Sequence, residues 1–445
     1  MRRTRAGAWL CSLRAVDLTA VGIVALLVVA YGSVSARLSA WSITGPIAFV
    51  AAGVVLGPVG ADVVAGGFQE GAVEVLAEAT LVVVLFTDAT RIDLRRLAGQ
   101  LTLPARLLGV ALPLTVVAGT VVAVVLFPGL SVWEAAVVAA ILAPTDAALG
   151  AAVVADQRVP VRIRQALNVE SGLNDGLMLP AITILAAVAA AELDVQTPAY
   201  WISFVARQIG FGVAIGGVVG FVGGWLLVVA DDRRWVEGAL RQLTTLGVGV
   251  AGFAVAAAVG GNGFVAAFVA GLAFGRAARE QCATAADFAE DEGQLLALLT
   301  FLFFGALLAG PALTDLTPAV VGYALLSLTV VRMVPVALGV VGVGLEWPTV
   351  AYLGWFGPRG LASILFGIVV FEEAAVGASS VILTVVTVTV AASTLLHGLT
   401  SVPLAARYGA WFRSMPDAAA MPEGVPVEMM RVRVGEDMFP QQSSR

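Results

Sequence analysis

Runs of about twenty apolar residues, the length a helix needs to cross a bilayer, recur from Val16 to Ala405 with only short connectors between them. Thirteen such segments can be cut from the chain, near residues 16–36, 43–59, 72–88, 107–127, 133–154, 166–190, 202–229, 243–259, 262–275, 294–310, 318–343, 349–371 and 379–405. The pattern predicts one all-α polytopic membrane domain over residues 1–405. Only Gly260-Gly261-Asn262-Gly263 separates the eighth and ninth segments, as a turn or as a kink. After Ala405 the chain becomes polar and proline-dotted, so residues 406–445 are expected to be a short disordered cytoplasmic tail, too short to bury a core.

Two segments are interrupted. Ala143-Pro144-Thr145-Asp146 breaks the fifth and Gly354-Trp355-Phe356-Gly357-Pro358-Arg359-Gly360 breaks the twelfth. Proline removes a backbone donor and disfavours helix in the residue before it, so both segments are expected to be unwound near their middle. Broken helices in corresponding parts of two halves are the best sequence pointer to a transporter's midplane site. Segments four to six and eleven to thirteen would then be the matching inverted repeats.

Charge placement orients the chain. Arginines follow segments one, three, five, seven, nine and thirteen, for example Arg37, Arg91, Arg95, Arg96, Arg158, Arg233, Arg276, Arg279 and Arg407. The opposite connectors carry acids such as Asp62, Glu70, Asp194 and Asp315 without one arginine. Since cytoplasmic connectors are the basic ones, thirteen spans put the N-terminus outside and the C-terminus inside. The basic start, Arg2 to Arg5 with Arg14, runs against this. It resembles a signal peptide, but the run that follows exceeds an ordinary h-region and is expected to stay as the first helix.

Composition narrows the classes. The chain is 59% hydrophobic and 13% charged with a net charge of −6, which argues against nucleic acid. Cys11 and Cys282 are isolated and His397 is the sole histidine, so neither a disulfide framework nor a zinc site can be assembled. No cofactor is expected.

The carboxylates inside this apolar sequence carry the chemistry, because ionisable groups there cost about 3 kcal/mol each on insertion scales and are usually functional. Glu170-Ser171-Gly172-Leu173-Asn174-Asp175-Gly176 lies in segment six. Residues four apart share a helix face, so Glu170 with Asn174 and Ser171 with Asp175 form two adjacent polar stripes. At a desolvated Asp175, proton and metal ion would compete for the same oxygens, which is what exchange requires. A buried Glu170 needs a partner, and Arg332, deep in segment eleven, is the expected one. Thr145 and the carbonyls freed at the first break offer hard oxygen ligands. Asp146 either binds the ion or neutralises the positive end of a half-helix; the second reading is preferred, since a helix N-terminus stabilises a carboxylate without any ligand role. Arg359 either neutralises carbonyl ends at the second break or lines the cytoplasmic funnel. Asp88 is an entrance acid or an interfacial residue beside Arg91, and His397 reads as a packed, satisfied residue.

At these residues the chain resembles the monovalent cation/proton antiporters of the NhaP and NHE type. The matching pieces are Ala143-Pro144-Thr145-Asp146, Glu170 to Gly176, Arg332, Gly357-Pro358-Arg359-Gly360 and His397-Gly398-Leu399-Thr400, in family order across nearly all of residues 16 to 410. The resemblance implies a thirteen-helix homodimer in a prokaryotic plasma membrane. Its core helices, about 107–190 and 318–405, would move like an elevator against scaffold helices at about 16–88 and 243–310, with a linker helix at about 202–229. It implies that Asp175 carries the cation and the proton, and that Thr145 and Ser171 join it in the sodium site. Asp146 would sit near that site, with Glu170, Asn174 and Arg332 as its supporting network. The Asn174-Asp175 pair implies electroneutral exchange. Gly357-Pro358-Arg359-Gly360 departs from the Gly-Gly-x-Arg-Gly of the animal exchangers, and the absence of their long regulatory region points to a simple prokaryotic form.

The expected function is therefore sodium or lithium exchange for protons by alternating access. Potassium/proton exchange is the alternative within transport, and an intramembrane aspartyl hydrolase using Asp146 and Asp175 the alternative outside it.

Overall fold

The structure is a computed structural model that describes residues 18–63, 70–92, 102–193, 197–278, 282–373, 379–418 and 420–427. The basic start, Arg95, Arg96, Asp194, Arg279 and residues 428–445 lie outside them. Among the described residues every regular element is helical. In chain order these are α1 (Leu18–Ala40), α2 (Gly45–Leu56), α3 (Glu70–Thr90), α4 (Thr102–Leu126, with a π-helical turn at Leu107–Ala111), α5a (Val132–Ile141), α5b (Ala147–Val154), α6 (Val161–Leu193) and α7 (Pro198–Asp232). They are followed by α8 (Gly238–Ala258), α9 (Gly263–Ala277), α10 (Cys282–Phe303, continued by a π-helical turn to Ala309), α11a (Pro318–Leu328), α11b (Val330–Gly339), α12a (Trp347–Trp355), α12b (Leu361–Glu373) and α13 (Ser379–Arg413).

Eight of the described helices are long and apolar enough to cross a membrane. Their outward faces are apolar: Val117, Val121 and Val125 form an exposed stripe along α4, and Phe221 and Trp225 do the same on α7. Only an apolar solvent tolerates that, so this is a multi-pass membrane protein. In such a medium the hydrophobic effect cannot drive helix against helix, and close packing has to.

Small residues supply that packing. Gly212, Gly216, Gly220 and Gly224 recur every fourth residue of α7 and lie directly on α9, where added methyl groups at Gly216 and Gly220 would collide with the carbonyl oxygens of Ala266 and Ala270. The Gly260–Gly263 stretch is a turn, not a kink. Gly260 has a φ of 79°, and the Asn262 side chain caps α9 by accepting the Val265 N–H at 3.0 Å. Phe253 of α8 meets Phe264 of α9 with ring centroids 5.1 Å apart, so the two helices fold back as a hairpin.

The described part of residues 406–427 is structured. α13 continues to Arg413, and Pro422–Gly424 forms a further turn with Glu423 fully buried. Polar composition suggested disorder, but the Glu423 carboxylate finds buried donors on α12a and its cap residue.

Replacing Gly220 with Val drives two methyl groups toward the α9 backbone. It should lower stability by about 1–3 kcal/mol or more, the range for overpacked sites, and a thermal melt in detergent checks this; an unchanged melt would show that α7 and α9 are not held by contact at this stripe.

Candidate functional site

The two interrupted helices cross at their breaks. Pro144 interrupts one between Ile141 and Ala147, and Pro358 with Gly357 and Gly360 interrupts the other between Trp355 and Leu361. The contact is made by backbone: the Asp146 N–H donates to the Pro358 carbonyl at 2.7 Å. Each break exposes two helix ends inside protein, and in this environment each orphaned N–H or C=O needs a partner.

Asp146 serves both N-terminal ends. Its Oδ1 accepts the N–H groups of Ala148 at 2.6 Å and Leu149 at 3.0 Å, capping α5b. Its Oδ2 accepts the N–H of Leu361, the first residue of α12b, at 2.5 Å. One carboxylate thus neutralises two positive half-helix ends, the role preferred for it from sequence. The arrangement also explains Gly360, where any β-carbon would collide with the Asp146 carboxylate.

The carbonyl ends are served by three other side chains. Arg359, fully buried, donates from Nη1 to the carbonyls of Ala143 at 2.5 Å and Pro144 at 3.2 Å. It therefore neutralises carbonyls of the first break, whereas the sequence offered carbonyl ends at the second break or the cytoplasmic funnel, because the crossing carries its side chain over to the other chain segment. Ser363 donates to Ile141 O at 2.7 Å. At the second break His397 Nε2 lies 2.9 Å from Trp355 O. A carbonyl only accepts, so Nε2 carries the hydrogen. Nδ1 lies 3.1 Å from both the hydroxyl and the carbonyl oxygen of Ser393, and the Ser393 hydroxyl oxygen accepts the Arg359 N–H at 2.6 Å. This relay ties residue 355 to residue 359 across the break. His397 is packed and satisfied as expected, but it is also a cap. Ser393 and Ser363 were missed; the polar spacing of Ser393, His397 and Thr400 along one face of an otherwise apolar helix is the signal that would have found the first.

Arg332 and Glu170 pair as expected. Arg332 Nη1 meets Oε1 at 2.5 Å and Nη2 donates to Oε2 at 2.8 Å, with both side chains 1% exposed. Such a two-pronged, buried pair fixes α6 against α11b. The helix of segment eleven is interrupted at Thr329, three residues before the arginine, and Pro335 lies three residues beyond it. Gly357 fits between this pair and the first break, since a β-carbon there would stand 2.5 Å from Arg332 Nε and 3.1 Å from Thr145 Cγ2.

Asn174, one turn above Glu170 on the same stripe, donates from Nδ2 to Thr145 Oγ1 at 2.7 Å. Glu170, Arg332, Gly357, Thr145 and Asn174 therefore close a ring of contacts that joins α6, α11b and both breaks. The second stripe, Ser171 and Asp175, is buried beside it. The Ser171 hydroxyl donates to its own helix, at Leu167 O (3.0 Å) and Asn168 O (3.3 Å), which leaves its oxygen lone pairs as acceptors. Pro180 lacks the N–H that would bond the Gly176 carbonyl, so the carbonyl next to Asp175 loses its helical donor. These hydroxyl, carboxylate and carbonyl oxygens are ligands of the hard kind that alkali cations take. Among the described residues no group of three His, Cys, Asp or Glu side chains forms a transition-metal cage. Asp88 lies in the last turn of α3, half-buried.

Two broken helices that cross inside an apolar bundle, with their ends neutralised by buried side chains, are the architecture of a secondary transporter. The chain belongs to the sodium/hydrogen exchanger (transmembrane) family, whose model matches residues 23–407. Membership of a transporter family replaces the aspartyl-hydrolase reading. The fold is similar to that of the sodium proton antiporter MjNhaP1 from Methanocaldococcus jannaschii at pH 8, with a TM-score of 0.68 and 20% identity over 91% of this chain and 99% of that one. An electron-microscopy map of the same protein matches with a TM-score of 0.68 and 17% identity, over 89% and 98% of the two chains. A relative from Shewanella baltica, named K(+)/H(+) antiporter NhaP2, is 23% identical over 215 residues, which are 46% of this chain and 35% of that protein. The match thus spans about a third of that relative's length.

Glu170→Ala or Arg332→Ala should each destabilise the protein by about 3–5 kcal/mol, the cost of stranding one buried charge. Denaturant or thermal unfolding reads this directly. If both single variants unfold like the parent, the pair does not hold α6 to α11b.

Proposed function

We propose that the protein is a secondary active antiporter that exchanges sodium, or lithium, for protons, with Asp175 as the group both bind. The observation that carries this reading is the Asn174–Thr145 bond. It sets the carrier helix α6 against the unwound crossing, and Asp175 is the next residue along that helix. For any buried carboxylate, desolvation favours the protonated form and a nearby cation favours the ionised one. Proton and cation thereby exclude each other at one set of oxygens. Four charges of the cluster have bonded partners: Asp146 on helix ends, Arg359 on carbonyls, Glu170 and Arg332 on each other. In this reading they stay fixed while Asp175 alternates, with Thr145 and Ser171 supplying neutral ligands and Asp146 a nearby field.

Alternating access is supported by a cavity of about 290 Å³. It separates α5b and its connector, at Ala148, Leu149, Ala152 and Asp156, from α1, α2 and α10, at Tyr31, Pro46 and Phe301. On the division into a core (α4–α6 and α11–α13) and a scaffold (α1–α3 and α8–α10) joined by α7, this is the boundary along which an elevator would slide. Thirteen spans with the N-terminus outside, inverted repeats, a homodimer and a prokaryotic plasma membrane complete the reading. One carboxylate alternating between one proton and one monovalent cation makes the exchange electroneutral. Asp88 is retained as an entrance acid.

Potassium/proton exchange is the second reading. It is favoured by the Shewanella relative, which is named a K(+)/H(+) antiporter, and uses the same oxygens in a larger cage.

Reconstituted into liposomes, the protein should move protons when sodium or lithium is added, and Asp175→Asn should abolish that movement while leaving the melting temperature near the parent's. Normal exchange by the Asn variant would falsify the assignment of Asp175. Comparing sodium, lithium and potassium across pH separates the two cation readings: a response to potassium alone selects the second.

A further inference from the structure

After α13 the chain turns back, and Pro422–Gly424 seats Glu423 in a fully buried position under the start of α12a. Glu423 Oε1 accepts the Glu346 N–H at 2.8 Å and the Thr349 hydroxyl at 2.9 Å. With the Thr349 hydrogen used there, the Tyr408 phenol of α13 donates to Thr349 at 3.0 Å. Glu346, the N-cap residue of α12a, makes no side-chain cap bond of its own. The positive end of α12a is therefore neutralised by a carboxylate delivered from outside the helix. On the other side of the turn Arg162, in the first turn of α6, donates to the Pro422 carbonyl. The Tyr408 ring stacks on Tyr352 of α12a with centroids 4.2 Å apart, closing the contact from α13.

One short turn thus ties together the starts of α6 and α12a and the end of α13. α6 bears Glu170, Asn174 and Asp175, and α12a runs straight into the break that meets Thr145 and Asp146. α12a is a nine-residue rod, so a shift at Glu346 reaches Trp355 and the crossing undiminished. We propose that Glu423 is a positioning residue for the exchange: it holds α12a in axial register with α6, and turnover depends on it although it touches none of the ion's ligands. This rests on the exchange reading of the Asp175 site.

The test uses the full chain in liposomes with Glu423→Ala, Glu423→Gln and a spin label at Val425→Cys, a position that is 43% exposed. Removing the carboxylate should free the label and lower the maximal exchange rate about tenfold, the size of effect an ordinary lost cap bond has on an equilibrium. The apparent KM for the cation should stay within about twofold, because the proposed ligands Asp175, Ser171 and Thr145 are carried by α6 and the first break and not by α12a. Glu423→Gln keeps an oxygen that accepts both donors and should recover most of the rate. If Glu423→Ala does not fold, Thr349→Val, which leaves the Glu346 bond in place, carries the same comparison with a smaller loss. Parent-like turnover with a freed label overturns the proposal, and so does a rate loss that tracks only the amount of folded protein. A parent that exchanges no alkali cation overturns the exchange reading together with this one, whereas parent exchange left unchanged by the variants overturns this one alone.

Discussion

A helix cannot be unwound inside an apolar bundle unless its exposed backbone groups are answered, and here one carboxylate answers two helices at once. Asp146 accepts three backbone N–H groups, two from α5b and one from α12b. Deleting it would orphan both N-terminal ends, each carrying the partial positive charge of its helix. The remaining features of the crossing follow from that contact. Gly360 must lack a side chain so that α12b can come close enough, and Pro358 must offer its carbonyl to the Asp146 N–H. The carbonyl ends point away from Asp146 and require donors instead, which Arg359, Ser363 and His397 provide. A carboxylate meets the N-terminal ends and hydrogen-bond donors meet the carbonyl ends, so the dipoles are answered by groups that have no need to move.

Such fixed neutralisation matters for any ion that visits the site. A cation entering a cluster of uncompensated dipoles would shift every titratable group with it. Asp146, Glu170, Arg332 and Arg359 are each committed to a bonded partner, so their charges are already compensated before any ion arrives. The buried pair Glu170–Arg332 does mechanical work in the same arrangement, since it locks α6 to α11b on one side of the ring while Asn174 locks α6 to Thr145 on the other. Asp175 sits one residue beyond the second lock and shares the rigidity of its helix.

Much of this was legible in the sequence because the apolar medium makes polar residues informative. Pro144, Pro358 and their glycines marked the breaks, and the expense of an unpaired buried acid matched Glu170 to the arginine within segment eleven. The four-residue spacing also separated the supporting stripe, Glu170 and Asn174, from the stripe of Ser171 and Asp175. What could not be read was the crossing itself. Sequence places Arg359 at the second break, but only the approach of the two segments in space shows that its guanidinium reaches Ala143 and Pro144. The same holds for the second oxygen of Asp146 and its bond to Leu361. Glu423 was hidden for a different reason: a polar, proline-dotted stretch has the composition of a disordered tail, and nothing local indicates that a buried helix end is waiting for its carboxylate. The four-residue glycine repeat of α7 went unread, because close helix contact in a membrane is invisible to hydropathy alone.

Position 174 shows how one atom type can decide the chemistry around it. The Asn174 amide donates to Thr145 Oγ1, and an ionised aspartate in its place has no hydrogen to give. The Thr145 hydroxyl would then have to turn its own hydrogen toward the carboxylate, and the oxygen now held by the amide would change from acceptor to donor. A second acid would also stand next to Asp175, where two adjacent carboxylates hold a proton between them more readily than one does. Amide and acid at this position therefore differ in more than one unit of charge. The amide fixes the orientation of a hydroxyl at the crossing and keeps a second acid out of the position next to Asp175.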